Sequence, residues 1–220
     1  MYRESIINLK NWKEDKFRKP LIVRGARQVG KTWLLKEFGR TSYAKLVYVN
    51  FEETPALQNI FATDFDIERI ITILQIQAQT TITADDTLIV FDEIQSAERG
   101  VTSLKYFCEN APQYHVIAAG SLLGMGLHSQ VSFPVGKVDF LDLRPLSFYE
   151  FLLSLNESAL VDALKAKNWG VVSVFTEKLK EYLRYYFYVG GMPEVVSAFI
   201  QTRDWQLARR IQNRILNSYE

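Results

Sequence analysis

Apolar residues fall into two regimes along this chain. Up to about residue 145, short runs that are apolar at nearly every position alternate with stretches in which apolar residues recur every three or four; beyond it only the second pattern persists. Leu21-Ile22-Val23 is the first short run. Leu46-Val47-Tyr48-Val49-Asn50-Phe51, Leu88-Ile89-Val90-Phe91 and His115-Val116-Ile117-Ala118-Ala119 follow it. A strand covered by helices on both faces has no polar side, so these runs predict strands of a parallel sheet. Val138-Asp139-Phe140-Leu141-Asp142-Leu143 alternates and predicts a fifth. Between them, Ile6, Ile7, Leu9 and Trp12 mark one face of a leading helix, and the segment from Trp33 to Phe38 marks a second that stops at Gly39. Ile67, Ile70, Ile71 and Leu74 predict a third helix, and Leu104, Phe107 and Cys108 a crossover helix. Strands and helices alternating at these distances predict right-handed βαβ units and an α/β fold.

Past Pro145 the pattern is helical throughout, with Phe148, Phe151, Leu152 and Leu155 in one segment, Leu179, Tyr182, Leu183 and Phe187 in another, and Leu207, Ile211, Ile215 and Leu216 in the last. This change of period predicts a core over 1–146 and a helical region over 147–220, a lid or the start of a C-terminal domain. The last segment reaches Glu220 with no closing glycine or proline, so a continuing chain is expected.

With 220 residues, 48% of them hydrophobic, the chain can bury a large core. Lys and Arg number 26 against 25 Asp and Glu, a net charge of +1, so bulk charge gives no reason to expect nucleic acid or an anionic membrane. Cys108 is the only cysteine, which excludes an intrachain disulfide framework and fits a reducing, cytoplasmic setting. The start carries no secretory pattern and no run of about 18 apolar residues occurs, so no membrane partner is expected.

The candidate chemistry begins where the first predicted strand ends. Gly25-Ala26-Arg27-Gln28-Val29-Gly30-Lys31-Thr32 has the form G-x-x-x-x-G-K-T and runs into the helix that includes Trp33. Glycines at those two places let the backbone bend tightly and turn its N–H groups toward phosphate oxygens; Lys31 supplies a point charge and Thr32 a hydroxyl for Mg2+. The bland alternative is a glycine-rich turn. Asp92 and Glu93 end the third apolar run, 92 − 31 = 61 positions after Lys31. That gap admits an extra strand between the loop's strand and the acidic one, as in P-loop NTPases that set a catalytic glutamate beside a magnesium-organising aspartate. Asp92 would hold the metal through a water and Glu93 would activate the attacking water.

Ser121 ends the strand expected beside the loop, where it is a γ-phosphate sensor or a plain turn serine. Asn50 ends the second strand, where it would hydrogen-bond Glu93 or close a turn. Arg24 and Arg27 border the loop as phosphate contacts or solvated charges. His115 and His128 have no ligand-like partners in sequence. The aromatics from Tyr182 to Tyr188 lie among helix-spaced leucines and read as packing rather than base stacking.

The stretch from Arg18 to Thr32, with Tyr48-Val49-Asn50-Phe51-Glu52, Phe91-Asp92-Glu93-Ile94-Gln95, Gly120-Ser121 and Leu143 to Phe151, resembles the prokaryotic AAA-type ATPases grouped near the STAND and archaeal-type signalling NTPases. The resemblance implies a three-layer P-loop NTPase fold with a parallel five-stranded sheet in the order 5-1-4-3-2, followed by a helical region. It also gives Gly190-Gly191-Met192-Pro193 a meaning, since similar proteins carry a G-x-P motif after the core whose proline approaches adenine; here that is Pro193. Similar proteins usually continue into a further C-terminal domain. Where many relatives carry an arginine after the sensor strand, this chain reads Pro134-Val135-Gly136-Lys137, which argues against an arginine finger across subunits.

Together these readings predict Mg-dependent binding of ATP and its hydrolysis to ADP, driving or timing a conformational change in an attached domain or partner. The alternative is a slow or non-hydrolysing ATP/ADP switch. A protein partner or self-association stays open, and nucleic acid has only family company behind it. No guanine-reading N-K-x-D segment occurs, which favours adenine.

Overall fold

The computed structural model describes residues 2–120 and 134–219. The chain divides into two compact units, Ser5–Leu143 and the residues before Ser5 together with those from Arg144 onward.

In the first unit β1 (Leu21–Arg24), β2 (Lys45–Asn50), β3 (Thr87–Asp92), β4 (His115–Ala119) and β5 (Asp139–Asp142) form one parallel sheet. Its order is β2-β3-β4-β1-β5, the predicted order read from the other edge. Successive side chains leave a strand on opposite faces, so each strand feeds two cores. Val47, Val49, Ile89, Phe91, Val116 and Ala118 pack on α3 (Ile67–Ala78) and α4 (Gly100–Asn110) through Ile70, Leu74, Leu104 and Phe107. Leu21, Val23, Leu88, Val90, Ile117 and Ala119 pack on α1 (Ser5–Glu14) and α2 (Lys31–Ser42) through Leu9, Trp12, Leu34, Leu35 and Phe38. Most of these side chains are fully buried, and each such Leu, Ile or Phe contributes about 1.5–3 kcal/mol.

Two expectations change in this unit. α2 continues past Gly39 to Ser42 because Gly39 serves close packing rather than termination: a Cβ there would lie 2.8 Å from a Leu46 methyl. Ile7 faces solvent, and α1 buries Leu9 and Trp12 instead.

The second unit is helical: α5 (Phe148–Ser154), α6 (Ser158–Lys165), α7 (Trp169–Val174), α8 (Thr176–Val189), α9 (Pro193–Thr202) and α10 (Trp205–Asn217). Its core gathers Leu146, Phe151, Val189, Val195, Val196, Phe199, Ala208, Ile211 and Ile215. Here α8 departs from the predicted face. Leu183 and Phe187 are exposed, and Tyr185, Tyr186 and Val189 turn inward because the tyrosine rings meet Phe151 and Phe199 edge-on or tilted. Leu216 is likewise exposed. Among the described residues no helix is long and apolar enough to cross a membrane.

Candidate functional site

Between β1 and α2 the chain makes a tight loop. Gly30, at φ 94° and ψ 25°, precedes the helix, and Gln28 also takes a positive φ of 60°. Gly25 has no room for a side chain: a Cβ there would lie 2.3 Å from the carbonyl oxygen of Leu143. With glycine at the N-cap, no side chain competes for the first N–H groups of α2, and the helix dipole adds positive potential at the same point. Ala26 and Arg27 are exposed, Val29 is fully buried, and Trp33 is half-exposed on the first turn.

Lys31 is almost buried, and its Nζ donates to the carbonyl oxygens of Gly25 at 2.8 Å and Ala26 at 2.9 Å. Burial holds its ammonium below the usual lysine range; the charges of Glu93 and Asp92 oppose the shift and Arg27 adds to it. The cation therefore folds back onto its own loop, within electrostatic reach of the acids at the end of β3.

Those acids arrive by strand alternation. Leu88, Val90 and Asp92 share the face of β3 that packs toward α2, and Asp92 is only 2% exposed. The hydroxyl of Thr32 donates to Asp92 Oδ2 at 2.8 Å. The 61-residue gap holds α2, β2 and α3, and it is β4, which follows Asp92 in sequence, that lies between β1 and β3 and separates the loop's strand from the acidic one. Tyr48, on β2, also donates to Asp92 Oδ2, at 2.6 Å. Burial and the neighbouring Asp92 carboxylate push this phenol's pKa up, so it stays a donor.

Glu93 follows in the left-handed region at φ 48°, and its backbone N–H donates to Asp92 Oδ1 at 3.1 Å. Its carboxylate accepts from Gln95 Nε2 at 2.5 Å. The hydrogen bond expected from Asn50 to Glu93 is not among those the described residues make. Asn50 Oδ1 instead accepts from the backbone of Glu52 at 3.0 Å and Glu53 at 3.4 Å, the local turn that a strand-end asparagine readily forms. Arg24 is engaged in a two-pronged ion pair with Asp142. Ser121 lies outside the described residues, as does His128. Pro193 opens α9 in the helical unit, after Gly191, whose carbonyl accepts from the backbone of Leu146 at 2.7 Å.

Sequence reasoning missed Tyr48 and Gln95 as site residues. The signal for Tyr48 was its place two before Asn50, on the strand face that carries Asp92 in the neighbouring register; the signal for Gln95 was its spacing of two from Glu93.

Residues 17–152 match the family model for an AAA domain. The chain belongs to the AAA domain family. Among solved structures, the Walker-type ATPase PABY2304 of Pyrococcus abyssi is similar to this AAA domain protein over 99% of this chain and 71% of its own, with a TM-score of 0.57 and 16% identity. The Orc1 protein of Aeropyrum pernix, solved in complex with DNA, matches 72% of this chain and 50% of its own, with a TM-score of 0.43 and 15% identity. No curated protein matches. Identity this low speaks to fold alone, and the family places the AAA domain among ATP-binding P-loop proteins.

The AAA domain's loop and acids also fit magnesium. A hydroxyl and a carboxylate are hard oxygen donors, and magnesium is commonly held by one or two of these together with nucleotide phosphates and water. Among the described residues no three His, Cys, Asp or Glu converge as a protein-only metal cluster.

Proposed function

We propose that this AAA domain binds ATP with magnesium and hydrolyses it to ADP, and that turnover drives or times a conformational change in the helices after residue 146 or in an attached domain or partner. The observation that carries the reading is the 2.8 Å hydrogen bond between Thr32 and Asp92, which joins the phosphate loop to the acidic strand across 60 residues of sequence. Phosphoryl transfer requires little covalent help; it needs charge neutralisation and a placed nucleophile. The amides from Gly25 to Thr32 and the Lys31 ammonium would hold the β- and γ-phosphates. Thr32 and Asp92 would hold magnesium, which when bound offsets phosphate charge. Glu93 would accept the proton of the attacking water. We retain Ser121 as the γ-phosphate sensor, from its place in sequence just after the strand that pairs with β1, and Pro193 as the residue for adenine, on the strength of the family resemblance. A cytoplasmic setting, where ATP is supplied, goes with this reading.

The test is a pair of variants. Lys31→Ala is expected to abolish nucleotide binding, and Glu93→Gln to keep binding while slowing turnover by about two orders of magnitude or more. Tight ATP binding by the Lys31→Ala protein would count against the assignment.

One observation favours a slower switch as the second reading: the Glu93 carboxylate is already engaged by Gln95 and has to leave that donor before it can meet an attacking water. Single-turnover hydrolysis separates the two, since bound ATP that survives for hours in the wild-type protein identifies the switch.

A further inference from the structure

Asp92 has four acceptor positions, two on each carboxylate oxygen. Oδ2 takes hydrogen bonds from Thr32 at 2.8 Å and Tyr48 at 2.6 Å, and Oδ1 takes one from the Glu93 N–H at 3.1 Å. The remaining position is on Oδ1. Rotation about the bond that carries an aspartate carboxylate is otherwise soft. Thr32 and the Glu93 amide come from one side of the sheet and the strand's own end; Tyr48 comes from the neighbouring strand and closes the set.

Tyr48 is itself held. It sits two inter-strand pairs before Asn50 and Asp92, on the same face of the sheet and within the diagonal reach of a long aromatic side chain. Its ring carries the Lys36 ammonium 4.3 Å from its centroid, a contact from the same helix that supplies Thr32. A ring carried by β2 and held from α2 is a fixed donor.

We propose that Tyr48 is a positioning residue for the magnesium site: by saturating Asp92 Oδ2 it fixes the carboxylate plane and presents Oδ1 to a metal-bound water. This rests on the nucleotide reading above. A hydrogen bond behind a group that faces the metal orients it, and losing such a partner typically weakens metal binding by about tenfold or more.

The experiment uses the full chain and a fluorescent ATP analogue, with binding followed by anisotropy while Mg2+ is titrated. In wild-type protein, magnesium should strengthen binding with a defined midpoint. Tyr48→Phe is expected to leave binding in EDTA within about twofold of wild type and to raise the Mg2+ midpoint by about tenfold, with a similar thermal midpoint showing that the fold is kept. Lys36→Met, which keeps the phenol but releases the ring, should move the Mg2+ midpoint the same way by less. A Tyr48→Phe protein whose midpoint is unchanged or lower overturns the proposal while the nucleotide reading stands. Wild-type protein that shows no Mg-dependent uptake overturns both.

Discussion

Lys31 and His115 show how burial at single residues sets chemistry in this fold. Lys31 is buried beside two acids and two loop carbonyls, a setting in which an ammonium is valuable only if an anion shares it. His115, at the start of β4, is buried on the sheet with its Nδ1 2.6 Å from the Tyr43 hydroxyl and its ring edge-on to Trp12 and Tyr43. Burial first, then the charges of Arg18 and Lys13, pull its pKa down to about 4, against a smaller opposing effect of Asp85. The sign follows directly. Between pH 4 and 6.5 the unfolded chain binds this proton and the folded one does not, so the stabilisation is complete above about 6.5 and is lost as pH falls toward 4. Denaturant midpoints at pH 7 and pH 5 should therefore differ more for wild type than for His115→Phe. An NMR titration that puts the His115 midpoint near 6.5 would contradict this.

At the scale of elements, α5 is the clearest case of a helix held by its ends. Ser147 and Glu150 form a capping box, with Glu150 N–H donating to Ser147 Oγ at 3.2 Å and Ser147 N–H donating to Glu150 Oε2 at 2.8 Å. The other oxygen of Glu150 accepts from Arg3 Nε at 3.1 Å and from the Glu4 N–H at 2.7 Å. Arg3 and Glu150 are both almost fully buried, and Arg3 also donates to the carbonyl of Arg144. Removing one partner of a buried pair strands the other charge, at a cost of about 3–5 kcal/mol. Glu150→Ala should lose about that much, read as a lowered thermal midpoint, and Glu150→Gln should lose less because it keeps the cap. The pattern S-x-x-E at 147–150 is visible in the sequence; that the same glutamate pairs with Arg3 is not, since 147 positions separate them.

For the molecule as a whole, the nucleotide reading predicts linkage between ligand and stability. A ligand at a hundred times its dissociation constant adds about 2.7 kcal/mol to the state that binds it, and about 2–4 °C of thermal midpoint goes with each kcal/mol in a chain of this size. Saturating Mg-ATP should raise the wild-type melting temperature by about 5–10 °C and leave Lys31→Ala unmoved, measured by calorimetry. Much of the frame behind this prediction was legible beforehand. Runs such as Leu88 to Phe91 announce a doubly covered strand because burial on both faces tolerates no polar alternation, and the phosphate loop announces itself because few residues other than glycine permit its close backbone approaches. Period and local backbone demand are properties of neighbours in sequence, so the chain alone determined the strands, most helices, the loop and the acidic pair. Only tertiary structure decided that Gly39 is a packing contact with Leu46, that α8 turns Tyr185 and Tyr186 inward, and that Tyr48 and Gln95 complete the surroundings of Asp92 and Glu93. Each of these depends on which side chain lies across a strand, a helix face or a tight turn, a distance in space that hydrophobic periodicity does not encode.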